Sequence, residues 1–320
     1  MDRRGFLRVG LAAPLFGASC GRTVSNDSPE SGVSHRLIAQ DKRHVAVVDR
    51  DGSVAWSWVN GTGAHDLHLL PNGNLLAPTS RSSIVELSPE QETVWEWVSE
   101  PLTADIDRVE IHAFERLANG LTMIAETGNL RLLEVDREGS VRHEIPLQVE
   151  NPHVHHDTRL VRGTPDGTYL VAHEHDGVVR EYDRDGSVVW EYRLELNGPA
   201  TPTHRGHGTA VYSAYRLPSG NTLIGGGNNN RVLEVDRDGN TVWSLDSGEI
   251  PGIPLFWVTQ LQALPNGNVV VTNTHAEADA PQIIEVTRDK EVVWSFLDWE
   301  TFGNNLCANI LLDVDGLVIR

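Results

Sequence analysis

Histidine recurs along the chain at intervals of about 43 to 52 residues, as His65, His112, His155 with the adjacent His156, and His207. A neutral imidazole can act as nucleophile, general base or metal ligand, and its protonated form can stabilise developing negative charge. A second set of polar residues follows the first: Arg81, Glu126, His173 with His175, Asn228 to Asn230, and Asn273 with His275. Trp257 and Asn305 stand where the histidine series would continue. A ring repeated in register also has a structural reading, because it can tie the backbone of one unit to the next by hydrogen bonds. His35, His44, His68 and His143 fall outside the series and read as surface or structural residues.

The elements that position these residues are visible as two alternating turn signals. The first is Asn72-Gly73, Asn119-Gly120, Asp166-Gly167, Ser219-Gly220, Asn266-Gly267 and Asp315-Gly316. The second is Asp51-Gly52, Gln91-Glu92, Glu138-Gly139, Asp185-Gly186, Asp238-Gly239 and Asp289-Lys290. Apolar β-rich runs such as Leu75-Leu76-Ala77 and Val94-Trp95-Glu96-Trp97 flank them, so each signal reads as a hairpin whose turn needs positive φ. Two hairpins per unit and six units predict an all-β fold, a six-bladed β-propeller of four-stranded blades over residues 35–320. Residues 35–59 carry only the second signal and 305–320 only the first, so the N- and C-terminal strands are expected to pair in one closing blade. Leu37-Ile38-Ala39 and Leu317-Val318-Ile319 compete for one strand position there. Trp56, Trp95, Trp190, Trp243 and Trp294 recur in the fourth strand and read as packing between blades.

Alternating strand direction then sorts the residues by face. The short hairpins share one face. The histidines, Arg81 and the long connections Ser99 to Glu110 and Leu196 to Gly206 share the other, at the mouth of the central channel, where convergent polar groups suggest a small-molecule site. His156, His207, His65, His112 and Arg81 are the candidate catalytic residues; His155, His173, His175, Trp257, Asn273 and His275 are the candidate substrate-binding ones. No cofactor motif is visible. A transition metal at His155, His156, His173 and His175 is an alternative, with alternation along a strand placing His173 and His175 on one face, although no compact ligand motif is present.

With 45 acidic against 26 basic residues the net charge is −19, which disfavours nucleic acid and anionic membranes as partners. Arg3-Arg4 followed by a short apolar run to Ala18 reads as a twin-arginine export signal over residues 1–20, too short to span a bilayer. Cys20 offers a site for a lipid anchor, and residues 21–34 read as a flexible linker. The expected destination is the periplasm, free or anchored as a lipoprotein. With Cys20 removed or acylated, Cys307 has no partner for an intramolecular disulfide.

The stretch His65-Asp66-Leu67-His68-Leu69-Leu70-Pro71-Asn72-Gly73-Asn74 resembles the histidine-led Leu-Pro-Asn-Gly-Asn repeat of bacterial arylsulfate sulfotransferases, echoed by His155-His156-Asp157 and Leu264-Pro265-Asn266-Gly267-Asn268. The resemblance spans residues 35–320. It implies an exported six-bladed propeller that moves a sulfuryl group from an aryl sulfate to a phenol through a transient sulfohistidine, with further His and Arg around it. Where that family has His-x-Asn and Arg-His, this chain has His65-Asp66-Leu67 and Arg81-Ser82. Asp183-Arg184-Asp185-Gly186-Ser187-Val188-Val189-Trp190 is also similar to the repeats of pyrroloquinoline-quinone dehydrogenases, in the repeat and not in the site. A group-transfer enzyme and a noncatalytic ligand- or protein-binding propeller at the cell envelope are the two readings these features leave.

Overall fold

A computed structural model describes residues 32–59, 65–195 and 211–320. Among them are six sheets, each of four antiparallel strands, in the propeller arrangement the turn signals predict. The middle strands lie between neighbouring sheets and are buried throughout, as in Ser83–Leu87 and Tyr169–His173. Outermost strands such as Val54–Val59 and Val188–Arg193 alternate towards solvent instead.

Both hairpins of the repeat have a local cause. In the second, the leading aspartate caps the turn: Asp183 Oδ1 accepts from the backbone N–H of Asp185 and Ser187, at 3.0 and 2.8 Å. One residue then takes positive φ and the ladder slips by one position. That slip occurs in every blade, between Val47 and Val48, Glu86 and Leu87, Glu134 and Val135, Glu181 and Tyr182, Glu234 and Val235, and Glu285 and Val286. Glycine occupies the positive-φ position in four blades, while Gln91 and Lys290, at φ 68°, hold it in the two where the Gly signal is degenerate.

The closing blade pairs Ala308–Leu311 as its innermost strand with Leu37–Gln40, followed by His44–Val48 and Val54–Val59. Leu37 to Ala39 thus takes the contested position, and Ile319 instead bridges to Ala263. His35 seals the seam: Nδ1 lies 3.0 Å from Asp313 and Nε2 2.8 Å from Glu285. Cys307 is buried here, and burial pushes its thiol up to about 12.

No helix among the described residues is long and apolar enough to cross a membrane. The export signal, Cys20, His207 and the connection from Leu196 to Gly206 lie outside the described residues.

Candidate functional site at the channel mouth

Glu110 opens the innermost strand Glu110–Arg116 and, being fully buried, needs partners for its carboxylate. Arg81 Nη1 and Arg108 Nε each donate to its Oε1 at 2.8 Å. His112 Nε2 and His155 Nδ1 approach its Oε2 at 3.0 and 2.5 Å. Burial would raise this carboxyl, but the hydrogen bonds and charges of His112 and His155 hold it well below the usual range. Arg108 and His112, two positions either side of Glu110, therefore meet the sequence-distant Arg81 and His155 on one carboxylate. Arg81 comes from the loop after the second strand of one blade, and His155 from the loop entering the first strand of another.

His65 joins this group, its ring 4.5 Å from that of His112 and 6.0 Å from that of His155. Its Nδ1 lies 3.0 Å from Tyr212 Oη, and Tyr212 donates its hydroxyl hydrogen to the His65 carbonyl at 3.4 Å. Arg159 is fully buried behind them, donating from Nε to Glu174 Oε2 at 2.5 Å and lying over the rings of Trp257 and Tyr212 at 5.5 and 5.8 Å. Burial, reinforced by the neighbouring Arg159, pushes His112 down to about 4, and lowers His65 and His155 as well. Burial raises Glu174 to about 7 against the pull of Arg159.

Next to His65 in the chain, the fully buried Asp66 collects partners from several blades. Arg162 grips it with both terminal nitrogens, at 2.8 and 2.7 Å, and Gln260 donates to it at 3.1 Å. The remaining oxygen capacity accepts from the backbone of Leu67 and Phe114, at 2.9 and 3.1 Å. Burial would raise this carboxyl, but the charges and hydrogen bonds of Arg162 and His68 outweigh it and hold Asp66 far below the ordinary carboxylate range. The pair ties the blades carrying residues 66 and 162 together under the histidines.

The other expected site residues divide into two groups. His156 stacks on His153 at 4.2 Å and sits 6.1 Å from His175, forming a second histidine cluster next to His155; burial and Arg159 push His156 down to about 3. Trp257 stacks on His275 at 5.0 Å. His173 and Asn273, in contrast, are fully buried within the blades: His173 bonds Tyr182 Oη at 2.9 Å, and the Asn273 amide bonds the backbone of Phe256, Pro254 and Pro281. The strand Tyr169–His173 ends at His173 and a turn follows, so alternation does not carry on to His175, and the two histidines part. Among the potential metal ligands, the described residues bring together Glu110, His112 and His155, with His155 alone drawn from the set read off the sequence.

A family model described as outer membrane protein assembly factor BamB matches residues 80–277. The chain belongs to this family. No curated protein sequence matches it. Among solved structures it is similar to a protein of unknown function from Bacteroides caccae, with TM-score 0.71 and 21% identity over 85% of this chain and 97% of the other. It is also similar to a streptogramin B lyase, with TM-score 0.55 and 15% identity over 80% and 77% of the two chains. A catalytically inactive histidine-to-alanine variant of virginiamycin B lyase from Staphylococcus aureus, crystallised with quinupristin, gives TM-score 0.56 and 11% identity over 86% and 87%. These likenesses establish the fold.

Glu110, Arg159, Glu174, Tyr212 and Asp66 were absent from the residues picked by sequence. Two of the five carry a local signal: Glu110 alternates with His112 in one strand, and Arg159 follows His155-His156-Asp157 at the entry of the next blade. The partnership between Asp66 and Arg162, 96 positions apart, has no local signature.

Proposed function

We propose that this propeller is an exported enzyme that transfers a sulfuryl group between phenolic oxygens at the histidine-lined mouth, with His65 as the nucleophile. The observation that carries this reading is the orientation of His65. Tyr212 gives its hydroxyl hydrogen to the His65 carbonyl, so its oxygen accepts from Nδ1–H, leaving the Nε2 lone pair of His65 available. In the transfer, Nε2 bonds to sulfur as the sulfur–oxygen bond of the donor breaks; the phenolate leaves with that electron pair and takes up a proton. The oxygen of a second phenol then attacks sulfur, its proton passes to solvent, and the nitrogen–sulfur bond breaks to restore the imidazole. Arg81, Arg108 and Arg159 oppose the charge of the sulfuryl oxygens, and Trp257 and Tyr212 offer aromatic surface beside it. The histidine-led motif at His65 followed by Arg81 supports the same assignment. Under this reading residues 1–20 direct twin-arginine export and residues 21–34 tether the propeller.

A second reading, a noncatalytic propeller that binds a partner at the cell envelope, draws support from the family description. Turnover of a chromogenic aryl sulfate with a phenol acceptor distinguishes the two. Transfer that disappears in His65→Ala supports the enzyme. Absence of turnover with every aryl sulfate donor sinks it and leaves partner binding.

A further inference from the structure

We propose that Glu110, His112 and His155 bind a divalent first-row transition-metal ion, a site that goes beyond the transferase reading and does not depend on it. Glu110 Oε2, His112 Nε2 and His155 Nδ1 all lie within 4.8 Å of one another, and both nitrogens already point at that one oxygen. Ligand atoms around a single zinc ion, at about 2.0–2.2 Å from it, are separated by roughly 3–4 Å, so small side-chain movements would close the three around one ion.

The outer atoms of two of the ligands are held by other groups, as a metal site requires. His112 Nδ1 lies 2.9 Å from the Thr158 carbonyl, which can only accept, and 3.4 Å from Arg159 Nη1, which can only donate; the shorter contact places the ring hydrogen at Nδ1. Nε2 of the same ring faces the Glu110 carboxylate at 3.0 Å, where a bound ion would take the place of a proton shared between them. On Glu110, Arg81 and Arg108 occupy Oε1 and leave Oε2 to face the two imidazoles. Each arginine therefore orients the carboxylate as a ligand through one oxygen.

Two imidazoles and one carboxylate suit zinc or iron(II), and three protein ligands leave coordination positions open. His65 lies beside the triad, with its ring 4.5 Å from His112, so an oxygen-bearing ligand held there would meet both the ion and His65. The ion would act as a Lewis acid on that oxygen.

The test uses full-length protein purified without an affinity tag, stripped with a chelator and titrated with cobalt(II), whose visible absorption reports ligand geometry, alongside elemental analysis for zinc. One equivalent of cobalt is expected, displaced by zinc. Glu110→Gln, His112→Ala and His155→Ala should each weaken binding by ~100-fold or more, whereas His143→Ala, in an outermost strand, should leave it unchanged. His155 is partly exposed, so His155→Gln, with folding checked by circular dichroism, keeps the test valid if His112→Ala fails to fold. Less than a tenth of an equivalent of cobalt in the wild-type protein overturns the proposal. So does binding that survives the triad substitutions or is lost in His143→Ala.

Discussion

On the hairpin face, a buried glutamate in the third strand meets a cation supplied from the next blade in sequence. Glu86 pairs with Arg116 and Arg137, Glu134 with Arg184, Glu181 with Arg216 and Arg237, and Glu234 with Arg288. At the mouth, Glu110 gathers two arginines and two histidines in an arrangement found at no other blade among the described residues. The first pattern is repeated and locally matched, with each carboxylate answered by guanidinium groups. The second concentrates histidines whose charged forms are disfavoured beside Arg159. Buried ionic groups rarely maximise stability, so the irregular cluster is the one that calls for a functional explanation. The repeated pairs have a sufficient structural one in joining the blades.

The largest effect that separates the two faces is catalytic. His65→Ala should reduce sulfuryl transfer by ~1000-fold, about 4 kcal/mol at the transition state, while the melting temperature changes little, because among the described residues no blade-to-blade ion pair involves that ring. A matched fall in activity and melting temperature would place His65 with the structural histidines and erase the contrast.

Next in size is the loss of one relay carboxylate. Glu181 accepts from Thr168 at 2.6 Å, Arg216 at 2.6 Å and Arg237 at 2.7 Å, and Arg216 is itself almost fully buried. Glu181→Ala leaves that guanidinium without its carboxylate, for an expected destabilisation of about 3 kcal/mol. Urea unfolding measures it. A loss below about 1 kcal/mol would mean that the relay is a surface-like set of contacts.

The same side chain gives opposite pH behaviour in the two regions. Burial opposes charge on His35, but the hydrogen bonds and charges of Asp313 and Glu285 win, and raise it to about 9. Trp294 packs edge-on against the ring, and Arg50 bonds the Asp313 carboxylate from the neighbouring hairpin. The folded state therefore holds a proton on His35 that the unfolded chain releases near 6.5. Its stabilisation is fully present below about pH 6.5 and disappears as pH rises through about 9, an effect on the order of 2 kcal/mol. His35→Gln should flatten the decline in wild-type stability between pH 7 and 9.5, as followed by thermal melts. An unchanged slope would remove the charged seam from the account.

How much of this was legible in the sequence depended on range. The hairpins were readable because turn chemistry is local: an aspartate cap and a positive-φ residue lie within four positions, and even Gln91 and Lys290 keep the turn geometry. The identity of the closing strand was not, because Leu37-Ile38-Ala39 and Leu317-Val318-Ile319 are equally apolar and β-branched or aliphatic; pairing with Ala308–Leu311 decided it. At the mouth, periodic histidines could be counted, yet nothing local separates His173, bonded to Tyr182, from His155, bonded to Glu110. His143 makes the same point in reverse. It replaces the repeated tryptophan and performs its task, bonding the Arg184 carbonyl as Trp190 and Trp243 bond those of Arg237 and Arg288.

The smallest prediction concerns the one junction where the relay is missing. In the closing blade the position of the buried glutamate is held by Val47, opposite Trp56, just as Glu86 lies opposite Trp95. In the next blade the turn position of Arg137, Arg184, Arg237 and Arg288 is held by Pro89, whose carbonyl still accepts from the Trp56 indole. Both halves of the ion pair are absent together, which is the outcome expected if a glutamate without its arginine is harmful. Val47→Glu alone would place an uncompensated charge between blades and should cost about 2 kcal/mol. Pro89→Arg alone should change stability by less than ~0.5 kcal/mol, since that position is exposed. Combined, the two should recover about 1 kcal/mol relative to their sum, a coupling that a double-mutant cycle in urea measures directly. Additive effects would show that the relay depends on more than its two charges.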